Sequence, residues 1–167
     1  MIKQIIDYLG YFSTILVLIS TIAAVVAWAK GIFPAILRLG NGFAKRKIAI
    51  FAKDNNLSSL ESLLVDSGLF LKKNIIPITK ECDFGKAEAP TLLLVYWPDW
   101  KDNLMKIKDI KKDGEALVIY SPKSAGQIPE TEMTELDNKR NVMVNNFRGR
   151  LLNDLVTAMV TTSYIKN

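Results

Sequence analysis

The strongest constraint on the fold is an uncharged apolar run near the start of the chain. Residues 8–29 read YLGYFSTILVLISTIAAVVAWA, 22 residues without a charged side chain. As a helix this run is about 33 Å long, which covers the roughly 30 Å hydrocarbon core of a bilayer. Tyr8, Tyr11 and Trp28 lie near its ends, where aromatic rings favour the membrane interfaces. The run predicts one transmembrane helix, assigned to residues 1–30.

The charge distribution predicts the orientation of this helix. Residues 1–47 carry six basic side chains against Asp7 alone, whereas residues 48–167 carry 16 basic and 16 acidic side chains. Most of the early basic residues follow the apolar run, so the positive-inside rule places the short N-terminus outside. We expect a single-pass protein of the inner (cytoplasmic) membrane with its C-terminal domain in the cytoplasm. A cleaved signal peptide and a buried core helix are the alternatives.

The segment after the apolar run predicts contact with the lipid surface. Residues 31–46 combine apolar side chains with Arg38, and Pro34 and Gly40 mark the start and end of a short amphipathic helix at the interface. The basic run at residues 45–47 is expected to lie against anionic headgroups. A passive tether is the alternative interpretation.

Small residues four positions apart predict self-association of the membrane helix. The pairs are Gly10 with Thr14 and Ser20 with Ala24. Such spacing lets two membrane helices approach closely, so we expect a homo-oligomer in the bilayer. Ordinary small residues facing lipid would give the same pattern.

Five short apolar runs follow in the cytoplasmic part, residues 47–167. They cover residues 47–52, 74–79, 91–97, 116–120 and 141–145. The runs IAIF, LLLVYW and ALVIY are apolar throughout, which is typical of strands buried on both faces of a parallel sheet. Alternation with helices predicts an α/β fold: a small, doubly wound, mainly parallel five-stranded sheet of the Rossmann-like or flavodoxin-like kind.

Four helices are predicted between and after these strands. Their ranges are residues 57–67, 102–110, 128–139 and 148–164. Ser58 and Glu61 form a capping-box pattern in the first, and Gly68 is its stop signal. The segment TKECDFGKAEAP, residues 79–90, is predicted to be a loop.

Composition excludes several kinds of chemistry. The chain has no histidine and a single cysteine, Cys82, which excludes an intramolecular disulfide, zinc sites built from Cys and His, and Ser-His-Asp triads. Neither a G-x-G-x-x-G nor a P-loop motif is present. We therefore assign no catalytic residue, no metal site and no cofactor. The neutral balance of residues 48–167 argues against binding of a nucleic-acid duplex.

A candidate ligand site lies at the carboxyl ends of the predicted strands, where open parallel sheets bind ligands. The polar residues at these ends are Asp54, Asn55, Asp99, Ser121, Lys123, Ser124, Asn146 and Arg148. Lys123 and Arg148, with the first amides of two helices, are suited to an anion such as a phosphate. The alternative is that these residues serve as turns and helix caps.

The order of these strand ends resembles that of response-regulator receiver domains over residues 47–164. Under that resemblance, Asp99 corresponds to the phosphoacceptor after the third strand and Ser121 to the hydroxyl after the fourth. The family's acidic pair is represented by Asp54 alone, and Asn145 stands at the position of its lysine.

The same region is also similar to the Toll/interleukin-receptor (TIR) family. The stretch KIAIFAKDNNLSSLESLLVDSGLF resembles the first strand, loop and helix of that family. The resemblance implies NAD cleavage in its enzymatic members, but no residue matches their catalytic glutamate.

A membrane helix joined to a Rossmann-like domain resembles, in architecture, membrane effectors of bacterial anti-phage defence. That resemblance implies a cytoplasmic domain that senses a nucleotide second messenger. We therefore expect a signalling module that binds a small anionic, nucleotide-like ligand or a partner protein. The alternatives are a scaffold subunit of a larger membrane complex and a TIR-like NAD-cleaving enzyme.

Overall fold

A computed structural model describes the backbone of residues 2–162 and the side chains of residues 8, 10–31, 40 and 46–162. The chain divides into two compact units, residues 1–40 and 41–167. Helix α1, Ile2–Lys45, contains the stretch Gly10–Gly31, which is long and apolar enough to cross a membrane. None of this stretch is buried within the protein, so it is not the core helix that we considered as an alternative.

Helix α1 continues through the predicted break. The prediction of a separate short helix between Pro34 and Gly40 is wrong, because the backbone is helical from Ile2 to Lys45. A proline inside a helix removes one hydrogen bond and clashes with the carbonyl four residues earlier, which can bend a helix instead of ending it, and a glycine weakens a helix without ending it. The predicted amphipathic face of residues 31–46 depends on side chains outside the described residues, except at Gly31, Gly40 and Arg46.

The predicted sheet is confirmed. It consists of β1 Ile48–Phe51, β2 Ile75–Ile78, β3 Leu92–Tyr96, β4 Ala116–Tyr120 and β5 Val142–Asn145. All four strand pairings are parallel, and the order is β2-β1-β3-β4-β5. This order is that of flavodoxin-like sheets, whose switch point lies between β1 and β3.

The predicted helices are present with shifted ends. They are α2 Asp54–Asp66, α4 Leu104–Ile110, α5 Glu130–Asp137 and α6 Arg148–Thr161; a further short helix that was not predicted, α3 Trp97–Trp100, follows β3. The prediction that Ser58 and Glu61 form a capping box at the start of α2 is wrong, because this helix begins three residues earlier than predicted, at Asp54. Gly68, with a φ of 69°, follows the helix as expected. The predicted end of α6 at Tyr164 lies outside the described residues.

Alternate side chains of each strand enter two cores on opposite faces of the sheet. Ile48 and Ile50 pack with α2 and α6 in one core. Ala49 and Phe51 pack with α3, α4 and α5 in the other. Both faces of the sheet are therefore covered, which makes the fold doubly wound.

The segment predicted as a loop is part of the second core. Glu81–Glu88 forms a 3-10 helix. Its Phe84 ring lies 5.7 Å from Phe51 and 5.5 Å from Trp100, measured between ring centroids. The loop prediction is wrong because this helix has no α-helical periodicity and is held by aromatic packing from distant parts of the chain.

Arg46 does not have the role predicted for the basic run. It is only 4% exposed. Its guanidinium donates hydrogen bonds to the Thr162 hydroxyl at 2.7 Å and to the Thr162 carbonyl at 2.5 Å. A cation stabilises the negative end of a helix, so Arg46 caps α6 instead of lying against lipid headgroups.

Candidate functional site

Two cavities open at the carboxyl edge of the sheet, one on each face. The smaller encloses about 220 Å³ and is lined by Asn56, Ser59, Leu60, Tyr96, Tyr120, Pro122, Ser124 and Arg148. The larger encloses about 520 Å³ and is lined by Ser121, Lys123, Gly126, Gln127, Ile128, Met133, Val144 and Asn146. The segment after β4 runs into a short 3-10 helix, Lys123–Ala125, and contributes Ser121 and Lys123 to the larger cavity and Pro122 and Ser124 to the smaller.

A tyrosine pair and an arginine define the smaller cavity. Tyr96 and Tyr120 are opposite each other in register, and their ring centroids lie 5.7 Å apart. One guanidinium nitrogen of Arg148 donates to the Ser59 carbonyl at 2.9 Å, which fixes this exposed side chain at the cavity. Burial raises the pKa of the Tyr96 phenol, and Asp99 raises it further. Tyr96 therefore stays neutral at physiological pH.

Asp99 lies next to this cavity but does not line it. Its carboxylate accepts the Lys53 backbone N–H at 2.8 Å and the Asn56 side-chain amide at 3.2 Å. These bonds fix the start of α2 and position Asn56 in the cavity wall. Asp54 and Asn55 are exposed and also line neither cavity.

The larger cavity combines an apolar wall with polar groups. Met133 and Val144 belong to the second core and form part of the wall. Ser121 is buried, while Lys123 lies on the exposed side with its ammonium 4.5 Å from the centroid of the Phe147 ring. A cation over an aromatic face is held there electrostatically, so Phe147 positions Lys123 near the cavity mouth.

The structure thus divides the predicted site. Ser124 and Arg148 line the smaller cavity, and Ser121, Lys123 and Asn146 line the larger. Sequence reasoning missed Asn56, Tyr96, Tyr120 and Gln127 as lining residues. The tyrosines were recognisable, because they are the last residues of two adjacent buried strands.

Asn145 has a structural role at the position where receiver domains have a lysine. Its side-chain amide donates to the Asp154 carboxylate, and its side-chain oxygen accepts the Phe147 backbone N–H at 2.6 Å. These bonds join the end of β5 to α6. Within the described residues, no group of three or more His, Cys, Asp or Glu side chains is arranged to hold a metal ion.

Comparison of the chain with protein-family models, curated proteins and solved structures finds no match. The layout of a five-stranded parallel α/β sheet is therefore what the chain has in common with receiver-like and TIR-like domains.

Proposed function

We propose that this protein is a membrane-anchored signalling module whose cytoplasmic α/β domain binds a small anionic, nucleotide-like ligand. The observation that carries the proposal is the placement of Arg148 and Lys123 at two cavities on the carboxyl edge of the sheet. Open α/β sheets bind ligands at this edge.

The composition of the cavities favours a ligand with an anionic part and a planar part. A guanidinium binds phosphate oxygens with two parallel hydrogen bonds, and Arg148 has donors beyond the one used by Ser59. The larger cavity, at about 520 Å³, is within the range of small-molecule sites. Its wall of Ile128, Met133 and Val144 suits a planar apolar ring, with Gln127 and Asn146 as hydrogen-bonding partners.

The signal would reach the membrane through assembly of several copies. The hydroxyls of Thr14, Ser20 and Thr21 each donate to a carbonyl four residues earlier at 2.8 Å. Close packing of small residues, instead of hydrogen bonding between helices, would then hold α1 to a second copy. Bacterial anti-phage defence is the setting that we propose, because its membrane effectors have this architecture.

Native mass spectrometry of the full-length protein in detergent tests the ligand proposal. We expect mass corresponding to a co-purified nucleotide, or to one bound from a panel of ATP, NAD and cyclic dinucleotides. Arg148→Ala and Lys123→Ala should each lose this mass. Lys101→Ala, which removes an exposed cation outside both cavities, should keep it. Binding that survives both cavity substitutions, or no binding from the panel, would refute the proposal.

A second candidate function is a scaffold that docks a protein partner at the same edge. Phe147 favours it, because this ring is 50% exposed between Lys123 and Arg150. Exposed aromatic and arginine side chains are frequent anchors of protein interfaces. Phe147→Ala would then abolish capture of the partner in a detergent extract, whereas Arg148→Ala would not.

A further inference from the structure

The edge of the sheet opposite the two cavities contains a second surface feature. Strand β1 begins at Ile48, three residues after α1 ends at Lys45. Ile48 pairs with Ile75 of β2, and neighbouring strands lie about 4.8 Å apart. The segment that precedes β2 is therefore beside Lys47, at the corner where the chain leaves α1.

This corner exposes leucines next to lysines. Leu69 is 42% exposed and Leu71 47% exposed, while Phe70 between them is 4% exposed and belongs to the first core. Lys72 and Lys73 follow directly and are exposed. Phe70 thus anchors the segment and leaves both leucines in solvent. We call Lys47, Leu69, Leu71, Lys72 and Lys73 the basic corner.

Backbone bonds also hold the basic corner in place. The Asn74 backbone N–H donates to the Leu71 carbonyl at 2.8 Å, and the Leu69 backbone N–H donates to the Ser67 hydroxyl at 3.2 Å. Within the part of the chain that the structure describes, Lys47, Lys72 and Lys73 form no ion pair. Their charges are therefore available to an external partner.

The positive charge is concentrated at this corner. Farther along the same edge, Lys112 is followed by Asp113 and Glu115, and Lys139 and Arg140 are preceded by Asp137. Asp113 and Glu115 lie between Lys112 and β4, and the Glu115 carboxylate accepts the Lys112 backbone N–H at 2.9 Å. At the basic corner, Asp66 at the end of α2 is the nearby acidic residue in the sequence.

We propose that the basic corner docks onto the anionic surface of the bilayer in which α1 is inserted. Exposed leucines beside lysines match the interface, because apolar side chains enter the headgroup boundary while ammonium groups meet anionic lipids. The 14 residues of α1 after Gly31 span about 21 Å as a helix, so insertion of Gly10–Gly31 tethers Lys47 within reach of the bilayer surface. The proposal requires insertion of α1 but is independent of ligand binding at the opposite edge.

The test uses the full chain reconstituted into vesicles with a polarity-sensitive fluorophore on a single cysteine. Leu71→Cys in a Cys82→Ser background reports on the basic corner, and Leu69→Cys is a second reporter position. The native Cys82, exposed in the 3-10 helix after β2, reports on the opposite edge. Vesicles contain phosphatidylcholine with phosphatidylglycerol, or phosphatidylcholine alone. An alkaline wash establishes separately that α1 is inserted.

We expect the Leu71→Cys reporter to shift to the blue and to be quenched by lipid-borne quenchers in the anionic vesicles, and the Cys82 reporter to do neither. Each lysine near an anionic surface contributes a factor of about 5 to binding. Lys72→Gln with Lys73→Gln should therefore lower the ratio of docked to undocked protein about 25-fold. Lys80→Gln with Lys101→Gln, an equal charge change at exposed positions away from the corner, should leave it unchanged.

Two results would overturn the proposal. In the first, the fluorophores on Leu69→Cys and Leu71→Cys are as exposed to water as the fluorophore on Cys82 in anionic vesicles, although the chain resists the alkaline wash. In the second, the double variant Lys72→Gln with Lys73→Gln docks onto anionic vesicles as well as the wild type does. Neither result bears on nucleotide binding measured in detergent. Loss of the chain in the alkaline wash would instead refute membrane insertion, and docking with it.

Discussion

At the scale of single residues, the start of α2 contains a strained backbone. Asp54 has a φ of 44°, in the left-handed region that costs an L residue about 1 kcal/mol. Its neighbour Lys53 donates its backbone N–H to the Asp99 carboxylate. The bond from Asp99 in α3 to the N-terminus of α2 compensates for the strain, and the bond from the Asn56 amide to the same carboxylate sets the position of Asn56 at the smaller cavity.

We predict that Asp54→Gly is more stable than Asp54→Ala by about 1 kcal/mol. Both variants remove the exposed carboxylate, but only glycine adopts a positive φ without strain. Within an ordinary helix the order is reversed, with alanine about 1 kcal/mol better. Thermal unfolding of the two variants in the same detergent measures the difference. A more stable alanine variant would show that Asp54 is not strained.

Lys111 is a buried cation that we expect to destabilise the fold at neutral pH. It is 9% exposed, and burial lowers its pKa; Asp113 and Glu115 raise the pKa in part, while Lys139 and Arg140 lower it. A lysine with a lowered folded pKa is more protonated in the unfolded state. Stability should therefore rise with pH between the lowered pKa and the ordinary lysine value of 10.5.

Lys111→Met should be more stable than the wild type at neutral pH, and this advantage should shrink as pH rises towards 10.5. The measurement is the difference in unfolding midpoint between the two proteins across that range. Using the difference cancels contributions from Lys108 and Tyr96, whose pKa values are raised in both proteins. Lys112→Met is the exposed control. A gain in stability of Lys111→Met that does not change with pH would contradict the view that the buried charge of Lys111 destabilises the fold.

At the scale of elements, local sequence determined the strands and long-range contacts determined the helix starts. Residues of β1, β3 and β4 are buried on both faces, so their sequences are apolar throughout and recognisable. Helix α2 instead begins where Asp99, 46 residues away from Lys53, accepts its N–H. A capping box is a pattern of residues three positions apart in the sequence. It contains no information about a distant partner such as Asp99, so the start of α2 predicted from it was wrong.

The candidate site was predictable in position but not in detail. Parallel strands bring their carboxyl ends to one edge, so Ser121, Ser124 and Arg148 could be placed there from the sequence alone. Which residues then face a cavity depends on tertiary hydrogen bonds. The Asp99 carboxylate accepts hydrogen bonds from Lys53 and Asn56 and lines neither cavity, which its position in the sequence did not indicate.

A charge at the centre of the apolar stretch of α1 tests whether this helix spans a membrane. Ile19, 60% exposed, lies near the middle of Gly10–Gly31, where an arginine costs about 3 kcal/mol on insertion. Ile19→Arg should therefore move the protein out of the alkaline-resistant membrane fraction. Tyr8→Arg, an equal charge change just before this stretch, should leave it there. Equal retention of both variants would indicate that Ile19 does not lie in the hydrocarbon core.

At the scale of the whole molecule, the two ends of the parallel sheet have different chemistry. The carboxyl ends hold the cavities with Arg148 and Lys123, and the amino ends hold the basic corner. Strands of four or five residues separate these edges by about 13 to 16 Å. Because strands that are all parallel share one direction, the proposed ligand and the proposed membrane contact fall at opposite edges of a single sheet.

This separation predicts that the two edges can be inactivated independently. Arg148→Ala should abolish nucleotide binding while the Leu71→Cys reporter still enters anionic vesicles, and Lys72→Gln with Lys73→Gln should do the reverse. Sites more than about 10 Å apart without shared partners have nearly additive effects, so the combined variant should show both losses at their single-variant size.

Titrating nucleotide while reading the corner reporter provides the decisive comparison. If the nucleotide changes docking in the wild type but not in Arg148→Ala, the sheet transmits binding at one edge to the other. That coupling would give the signalling proposal its physical route to the membrane, and no change on titration would leave assembly of α1 as that route.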